Sequence, residues 1–260
     1  MAQDGHDTVN ESEKLHFQEA LQKKDFERAA EILRPAADSG DTEAQYELGV
    51  MYRRGEGLAA NSKQAAHWWG KAANRGHARS EYNLGTLYML GEGVPRSTPE
   101  ALAWTEKAAR HGFPDAAYKL GWMLRQGFGG DERRQEGLHW LRRAAQAGHG
   151  EANYLLAVME FLRSLSENSS DRLAEMCRLL GKAALQRHPA AWFVLGEIHD
   201  SKVGIGKNSV AQCFLLGSAV YLLRPDLHAV WLERLEQLSR SDAQRIIEAL
   251  MLLFGACQRV

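Results

Sequence analysis

An excess of charge of either sign is missing from this chain, in which 32 Lys and Arg face 33 Asp and Glu. No net field draws it toward nucleic acid or anionic lipid. Cysteine is scarce: Cys177, Cys213 and Cys257 lie far apart, and an odd, scattered set fits reduced thiols in a cytoplasm better than a disulfide framework. No apolar run approaches the ~18 residues that a membrane helix needs. The opening stretch MAQDGHDTVNESEK carries four acids, one base and no apolar core, so neither a secretory signal nor an anchor is expected there. A cytoplasmic location follows as the expectation. Proline is limited to six residues in 260. Thr, Val and Ile are few against Ala, Leu, Glu, Gln and Arg, a balance that favours helix over strand. Motifs of chemistry are absent too. There is no His-Glu-x-x-His, no Cys-x-x-Cys and no Gly-x-Ser-x-Gly elbow, which removes the usual signatures of metal sites and acyl transfer.

What is present is repetition. YELGVMYRRGEGL (Tyr46 to Leu58) returns as YNLGTLYMLGEGV (Tyr82 to Val94) and again as YKLGWMLRQGFGG (Tyr118 to Gly130). Leu48, Leu84, Leu120 and Leu156 form one column; Gly49, Gly85 and Gly121 form the next. A second half repeats as Trp68, Trp104, Trp140, then as the pairs Ala72-Ala73, Ala108-Ala109, Ala144-Ala145, then as Gly76, Gly112, Gly148. Each step is 36 residues, a period typical of solenoids built from helix pairs. Beyond residue 149 the pattern decays. Ala183-Ala184 and Leu195-Gly196 come 39 residues after their counterparts, placing a three-residue insertion around SENSSD (Ser166 to Asp171), and a fifth unit runs from about Pro189 to Leu223.

Within a unit, Ala44, Leu48, Met51 and Tyr52 follow i, i+4, i+7, i+8 and line one face of a first helix. Gly49 sits beside that stripe, where a missing side chain admits another helix closely. Gly55-x-Gly57 supplies the positive φ values that stop the first helix and reverse the chain. The glycines of LGTLYMLGEGV therefore turn a corner; a phosphate loop follows a strand and opens a helix, whereas these close one. Asn61 or Ser62, and Ser97 or Thr98 ahead of Pro99, open the second helix as N-caps. Ala65, Trp68, Ala72 and Ala73 form its buried face. Trp69 points about 100° from Trp68, toward a neighbouring unit or solvent. The tyrosine column Tyr46, Tyr82, Tyr118, Tyr154, then Phe193, is expected to stack between adjacent first helices. Histidines in the columns His67/His139 and His77/His149 read as exposed turn and surface residues.

The pattern A-x-Y-x-L-G-x-x-Y-x-x-G-x-G-V followed by A-x-x-W-x-x-x-A-A-x-x-G resembles the Sel-one-like repeat (SLR) family, a relative of the tetratricopeptide repeat. Units at Ala44 to Gly76 and Ser80 to Gly112 match nearly throughout. The unit at Ala116 to Gly148 has Leu124 for the usual Tyr and Gly130 for the usual Val. The resemblance implies an all-α fold, an α/α solenoid wound as a right-handed superhelix of antiparallel helix pairs. About five repeats are expected, with capping helices at both ends. The expected organisation is an acidic disordered tail over 1–10, an N-terminal capping pair over 11–42, the solenoid over 43–225 and C-terminal capping helices over 226–260. Secreted relatives staple each unit with a cysteine pair, and this sequence has none.

In superhelices of this type the first helices line the concave wall. With Leu48 facing the core, Glu43, Tyr46, Val50, Arg53 and Arg54 lie opposite it and Glu47 lies at the margin. Those positions vary while the frame repeats. Val50 gives way to Thr86, Trp122, Val158 and Glu197; Arg53 to Met89, Arg125, Phe161 and Asp200; Arg54 to Leu90, Gln126, Leu162 and Ser201. Trp122 is a large aromatic where packing does not require one, with Tyr118 and Lys119 before it and Arg125 after. Trp, Tyr and Arg are the residues that dominate interface energies. The candidate groove is therefore Trp122, Arg125, Tyr118, Lys119, Thr86, Met89, Arg53, Arg54 and Phe161. Mixed charge along it fits a protein or peptide partner better than a phosphodiester backbone. The expected function is a non-catalytic scaffold or adaptor. An inhibitor or immunity protein that wraps a cognate toxin enzyme is the alternative, and a hydrolase a distant third. No cofactor, catalytic or metal residue, nucleic-acid partner or membrane insertion is expected. The apolar stretch Ile246 to Phe254 is a candidate for a homodimer contact.

Overall fold

Short polar caps set where the helices begin. Asp25, Asp41, Asn61 and Ser97 each accept a hydrogen bond from the backbone N–H three residues on, satisfying donors that the first turn leaves without an intrahelical acceptor. The structure is a computed structural model and describes residues 11–167, 170–201, 214–215, 218, 242 and 246. Among these residues there are eleven α-helices and one short 3-10 turn, with no strand. The chain divides into two units, 1–140 and 141–260.

The first unit holds α1 (Glu11–Gln22), α2 (Phe26–Ser39), α3 (Thr42–Arg54), α4 (Ser62–Ala73), α5 (Ala78–Leu90), α6 (Thr98–Arg110) and α7 (Pro114–Arg125). The 3-10 turn Asp131–Arg133 and the start of α8 (Arg134–Gln146) complete it. From α1 to α7 each helix packs on the next in sequence, the plain consequence of helix pairs joined by short turns. First helices begin at Thr42, Ala78 and Pro114, in step with the sequence period. Leu48, Leu84 and Leu120 are 0, 5 and 0% exposed, each contributing about 2 kcal/mol of burial. The turn glycines Gly55, Gly57, Gly91 and Gly93 all have positive φ. Their second members also lie against the preceding pair. A Cβ on Gly57 would meet the Phe26 carbonyl, where α2 opens, and one on Gly93 would meet that of Ser62, where α4 opens.

Trp69 lies, as expected, in a buried cluster with Leu84 and Leu87 of the following repeat, and it makes a second contact that the sequence reading does not contain. It is 4% exposed and turns back onto its own hairpin, where a Cβ built on Gly49 would lie 2.3 Å from its indole nitrogen. That nitrogen donates to the Tyr46 carbonyl at 3.1 Å. The missing side chain at Gly49 makes room for this ring. Gly85 faces Thr105 at the equivalent place, and α7 meets α8 through Gly121 and Gly137, so the close approach recurs with different partners. Arg133 pairs with Glu106 and Glu136, and Glu136 accepts from the Trp140 indole at 3.1 Å. The Arg133 guanidinium is the main reason the Glu136 carboxyl is held down at about 2.

The second unit continues from α8 through α9 (Gly150–Glu167), α10 (Ser170–Leu185) and α11 (Pro189–Ser201). Here the insertion is absorbed by lengthening the first helix of the pair: α9 has 18 residues where α3 and α5 have 13. Tyr154 is buried, and its hydroxyl meets that of Ser218 at 2.7 Å. Burial pushes its pKa up, above the ordinary tyrosine value. The expected tail over 1–10, the rest of the fifth unit and the C-terminal caps fall outside the described residues, apart from the isolated positions given above.

His67 and His139 are exposed, as expected, but the reading of the other histidine column needs correction. His77 is the N-cap of α5, its Nδ1 accepting from the Ser80 N–H, and its ring lies 5.1 Å from that of Tyr46. Phe113 opens α7 with its ring 5.3 Å from Tyr82. In the second unit the His149 ring accepts from the Ala152 N–H, and His188 stacks on Tyr154 at 4.5 Å. The tyrosine column does stack between repeats, but its partner is the ring that opens the next first helix. At His77 a polar cap and an aromatic contact are met by one side chain, whereas Phe113 supplies the ring alone.

Candidate partner-binding face

The side of α3, α5 and α7 opposite Leu48, Leu84 and Leu120 is where the sequence-predicted residues of the first unit fall. Arg53, Arg54 and Leu90 are exposed; Tyr46, Val50, Thr86, Met89, Tyr118, Lys119, Trp122 and Arg125 are half-buried. Helical periodicity explains that ordering, because residues on this side sit above neighbouring helices without entering the core.

On α3 the face is ionic and internally paired. Arg53 bridges to Glu92 in the turn of the following repeat, Arg54 reaches Glu56 at 3.8 Å, and Glu43 meets His77 at 3.2 Å. Arg79 lies over the Tyr46 ring at 6.0 Å. Burial and the neighbouring Glu43 push the Glu47 pKa up, while Arg79 and Arg54 oppose that. Burial also raises Tyr46 and Tyr82 above the ordinary phenol value.

Toward α7 the character changes. Trp122 lies with its ring centroid 6.2 Å from that of Phe128, and the Lys119 ammonium stands 5.3 Å from the Trp122 ring. Burial holds Lys119 below the ordinary lysine value. Leu90 and Phe128 are each 38% exposed, so the apolar surface reaches solvent. Thr86 turns its hydroxyl back to the Tyr82 carbonyl at 3.0 Å and offers chiefly its methyl. The Arg125 stem runs along α8, its Cγ 3.0 Å from a Cβ built on Gly137.

Phe161 does not belong with these residues. It is 2% exposed, and Val158 is fully buried. The stretch ANYLLAVMEF of α9 is apolar nearly all round, and a helix of that kind is buried on every side. Sequence reasoning missed Phe128. Its signal was a column of turn residues reading Glu56, Glu92, Phe128, where a ring replaces a carboxylate. Among the described residues no group of His, Cys, Asp and Glu is placed to hold a metal ion, and no helix is long and apolar enough to cross a membrane.

Helix hairpins stacked in a fixed 36-residue register, with glycine-closed first helices, define an α/α solenoid of the Sel1-like type. The Sel1 repeat family model matches residues 15–41, 42–77, 78–113 and 114–149. With more than half of its length matched, the chain belongs to the Sel1 repeat family. Solved structures agree on the fold. A Sel1 repeat protein from Oxalobacter formigenes is 23% identical, with 86% of this chain and 97% of that one covered at a TM-score of 0.64. A protective antigen with an SLR fold from uropathogenic Escherichia coli is 19% identical, with 93% and 68% covered at a TM-score of 0.54. The immunity protein Pa5087 from Pseudomonas aeruginosa is 20% identical, with 90% and 83% covered at a TM-score of 0.50. A search of curated proteins found no match.

Proposed function

We propose that this protein is a non-catalytic scaffold that binds a partner protein or peptide in the concave groove lined by α3, α5 and α7. One observation carries the reading. A frame repeated residue for residue presents a face whose side chains change from repeat to repeat, and the change culminates in the partly exposed Trp122–Phe128 pair. Packing explains the repeated positions, while the variable ones have no such constraint. Partly exposed aromatic pairs flanked by cations are what protein interfaces use as anchors. Arg53, Arg54, Thr86, Met89, Tyr118, Lys119 and Arg125 frame that anchor.

The test is Trp122→Ala. A partner recovered from the native cell, purified and titrated calorimetrically, should lose about 2 kcal/mol of affinity, roughly thirtyfold in Kd. Circular dichroism should stay unchanged. Affinity within twofold of the parent protein, with folding intact, would place the contact elsewhere.

A second reading is supported by the fold-level likeness to the immunity protein Pa5087: the same face wraps and blocks a toxin enzyme. Co-expression separates the two. An immunity protein rescues growth from one specific toxin, whereas an adaptor rescues from none.

A further inference from the structure

The charges along the groove face are not evenly satisfied. On α3, Arg53 has Glu92, Arg54 has Glu56, and Arg79 lies close enough to Glu47 to oppose the rise in its pKa. Lys119 occupies the same repeat column as Glu47 and Asn83, so the column reverses sign at α7. Asp115 stands one turn earlier on the same helix, yet the Lys119 ammonium extends over the Trp122 ring instead. Among the described residues of its unit, no carboxylate pairs with it. The turn residue that is an acid in the two preceding repeats, Glu56 and Glu92, is here Phe128. One substitution removes a carboxylate from this column and adds an exposed ring.

We propose that Lys119, Trp122 and Phe128 form a docking point for an acidic segment of the partner. A carboxylate of that segment meets the Lys119 ammonium, and an adjacent aromatic or aliphatic side chain rests on Trp122 and Phe128. This rests on the scaffold reading above and specifies the chemistry of its partner. Three features support it together. The ammonium is half-buried, so it has lost part of its hydration without gaining a counter-charge, and an incoming carboxylate offsets that cost. Its burial already disfavours the charged form, which a bound anion would reverse. The neighbouring surface is apolar, so the ion pair would form beside a water-excluding contact, where such pairs are strongest.

The test uses the full-length protein and a displayed library of random dodecapeptides, selected separately on the parent protein, Lys119→Met, Lys119→Glu and Trp122→Ala. Pools from the parent should enrich Asp or Glu within two positions of an aromatic or aliphatic residue. A synthetic peptide from that pool should lose about tenfold in affinity when its acid is changed to the amide, measured by fluorescence anisotropy. The same change should alter affinity less than twofold on Lys119→Met, and Lys119→Glu should select basic residues in place of acids. The peptide change needs no altered protein, so a misfolded variant does not blunt the test. Peptides that depend on Trp122 but bind equally as acid and amide would overturn the carboxylate assignment and leave the scaffold reading standing. Enriched peptides that bind Trp122→Ala as well as the parent would overturn both.

Discussion

A methyl group placed on Gly49 would lie 2.3 Å from the Trp69 indole nitrogen and 2.4 Å from its Cδ1, well inside the ~3.5–4 Å of an ordinary contact. The ring has little freedom to retreat, since it is 4% exposed and its N–H donates to the Tyr46 carbonyl. Overpacking of this kind costs about 1–3 kcal/mol, and a displaced indole N–H left without its acceptor adds roughly 1 kcal/mol. Against that stands a helix-propensity gain of ~1 kcal/mol for Gly→Ala. Gly49→Ala should therefore destabilise the protein by about 1–3 kcal/mol net. Gly70, in the interior of α4, is the internal control. A Cβ there meets nothing within 4 Å, so Gly70→Ala should stabilise by roughly 0.5–1 kcal/mol. Urea unfolding followed by far-ultraviolet circular dichroism reads both. Adding Trp69→Leu, which copies Leu141 in the same column, should make Gly49→Ala much cheaper, and a double-mutant cycle would measure that coupling. If Gly49→Ala raises the urea midpoint as Gly70→Ala does, the close-approach argument is wrong.

Burial holds the His188 pKa down, with Glu151 opposing and His149 reinforcing. Its neutral ring thus contributes stability fully above the ordinary value of 6.5, and loses it as pH falls below that value toward the depressed one. His188→Phe, which copies Phe113, should lose less stability than the parent between pH 7.5 and 5; equal losses in urea midpoint would contradict this. Glu136, at about 2 in the folded protein against 4.5 in the unfolded one, contributes stability above pH 4.5 that is lost as pH falls toward 2. Its side chain is 38% exposed, so after solvent screening the contribution is about 1 kcal/mol. Glu136→Gln should remove the corresponding slope from an acid titration of stability; an unchanged slope would show that Arg133 does not hold the carboxylate as described.

The fold was legible because its determinants are local and periodic. Leu48, Leu84 and Leu120 announce the core by spacing, and Gly55 and Gly57 announce the turn by the φ they adopt. The direction of Trp69 toward the next repeat was legible, but its fit against Gly49 was not, because a helical wheel gives direction and not distance. A wheel cannot tell that the gap beside Gly49 accepts an indole from the same hairpin. The capping roles of His77 and His149 are not legible from sequence because a ring nitrogen is an uncommon N-cap acceptor. Column variability singles out Trp122, with Lys119 as its neighbour, and their half-buried places on α7 follow from repeat register. Phe161 broke the rule because α9 is longer and apolar around its circumference, so register no longer predicts exposure. Phe128 is visible only on comparing the side chains of the turn column Glu56, Glu92 and Phe128, because the glycines beside it carry the stronger signal of backbone shape.

The rings that open α5 and α7 carry a consequence for shortening the chain. His77 and Phe113 begin their own helices while serving as neighbours to Tyr46 and Tyr82 one repeat back. A truncation ending after Gly76 or Gly112 leaves the last hairpin's tyrosine facing water, although every helix before the cut is complete. Extending the cut by a single residue restores the ring but not the helix that holds it. Clean excisions therefore do not coincide with hairpin boundaries, and a shortened version should be ended with a grafted aromatic cap on a following turn of helix.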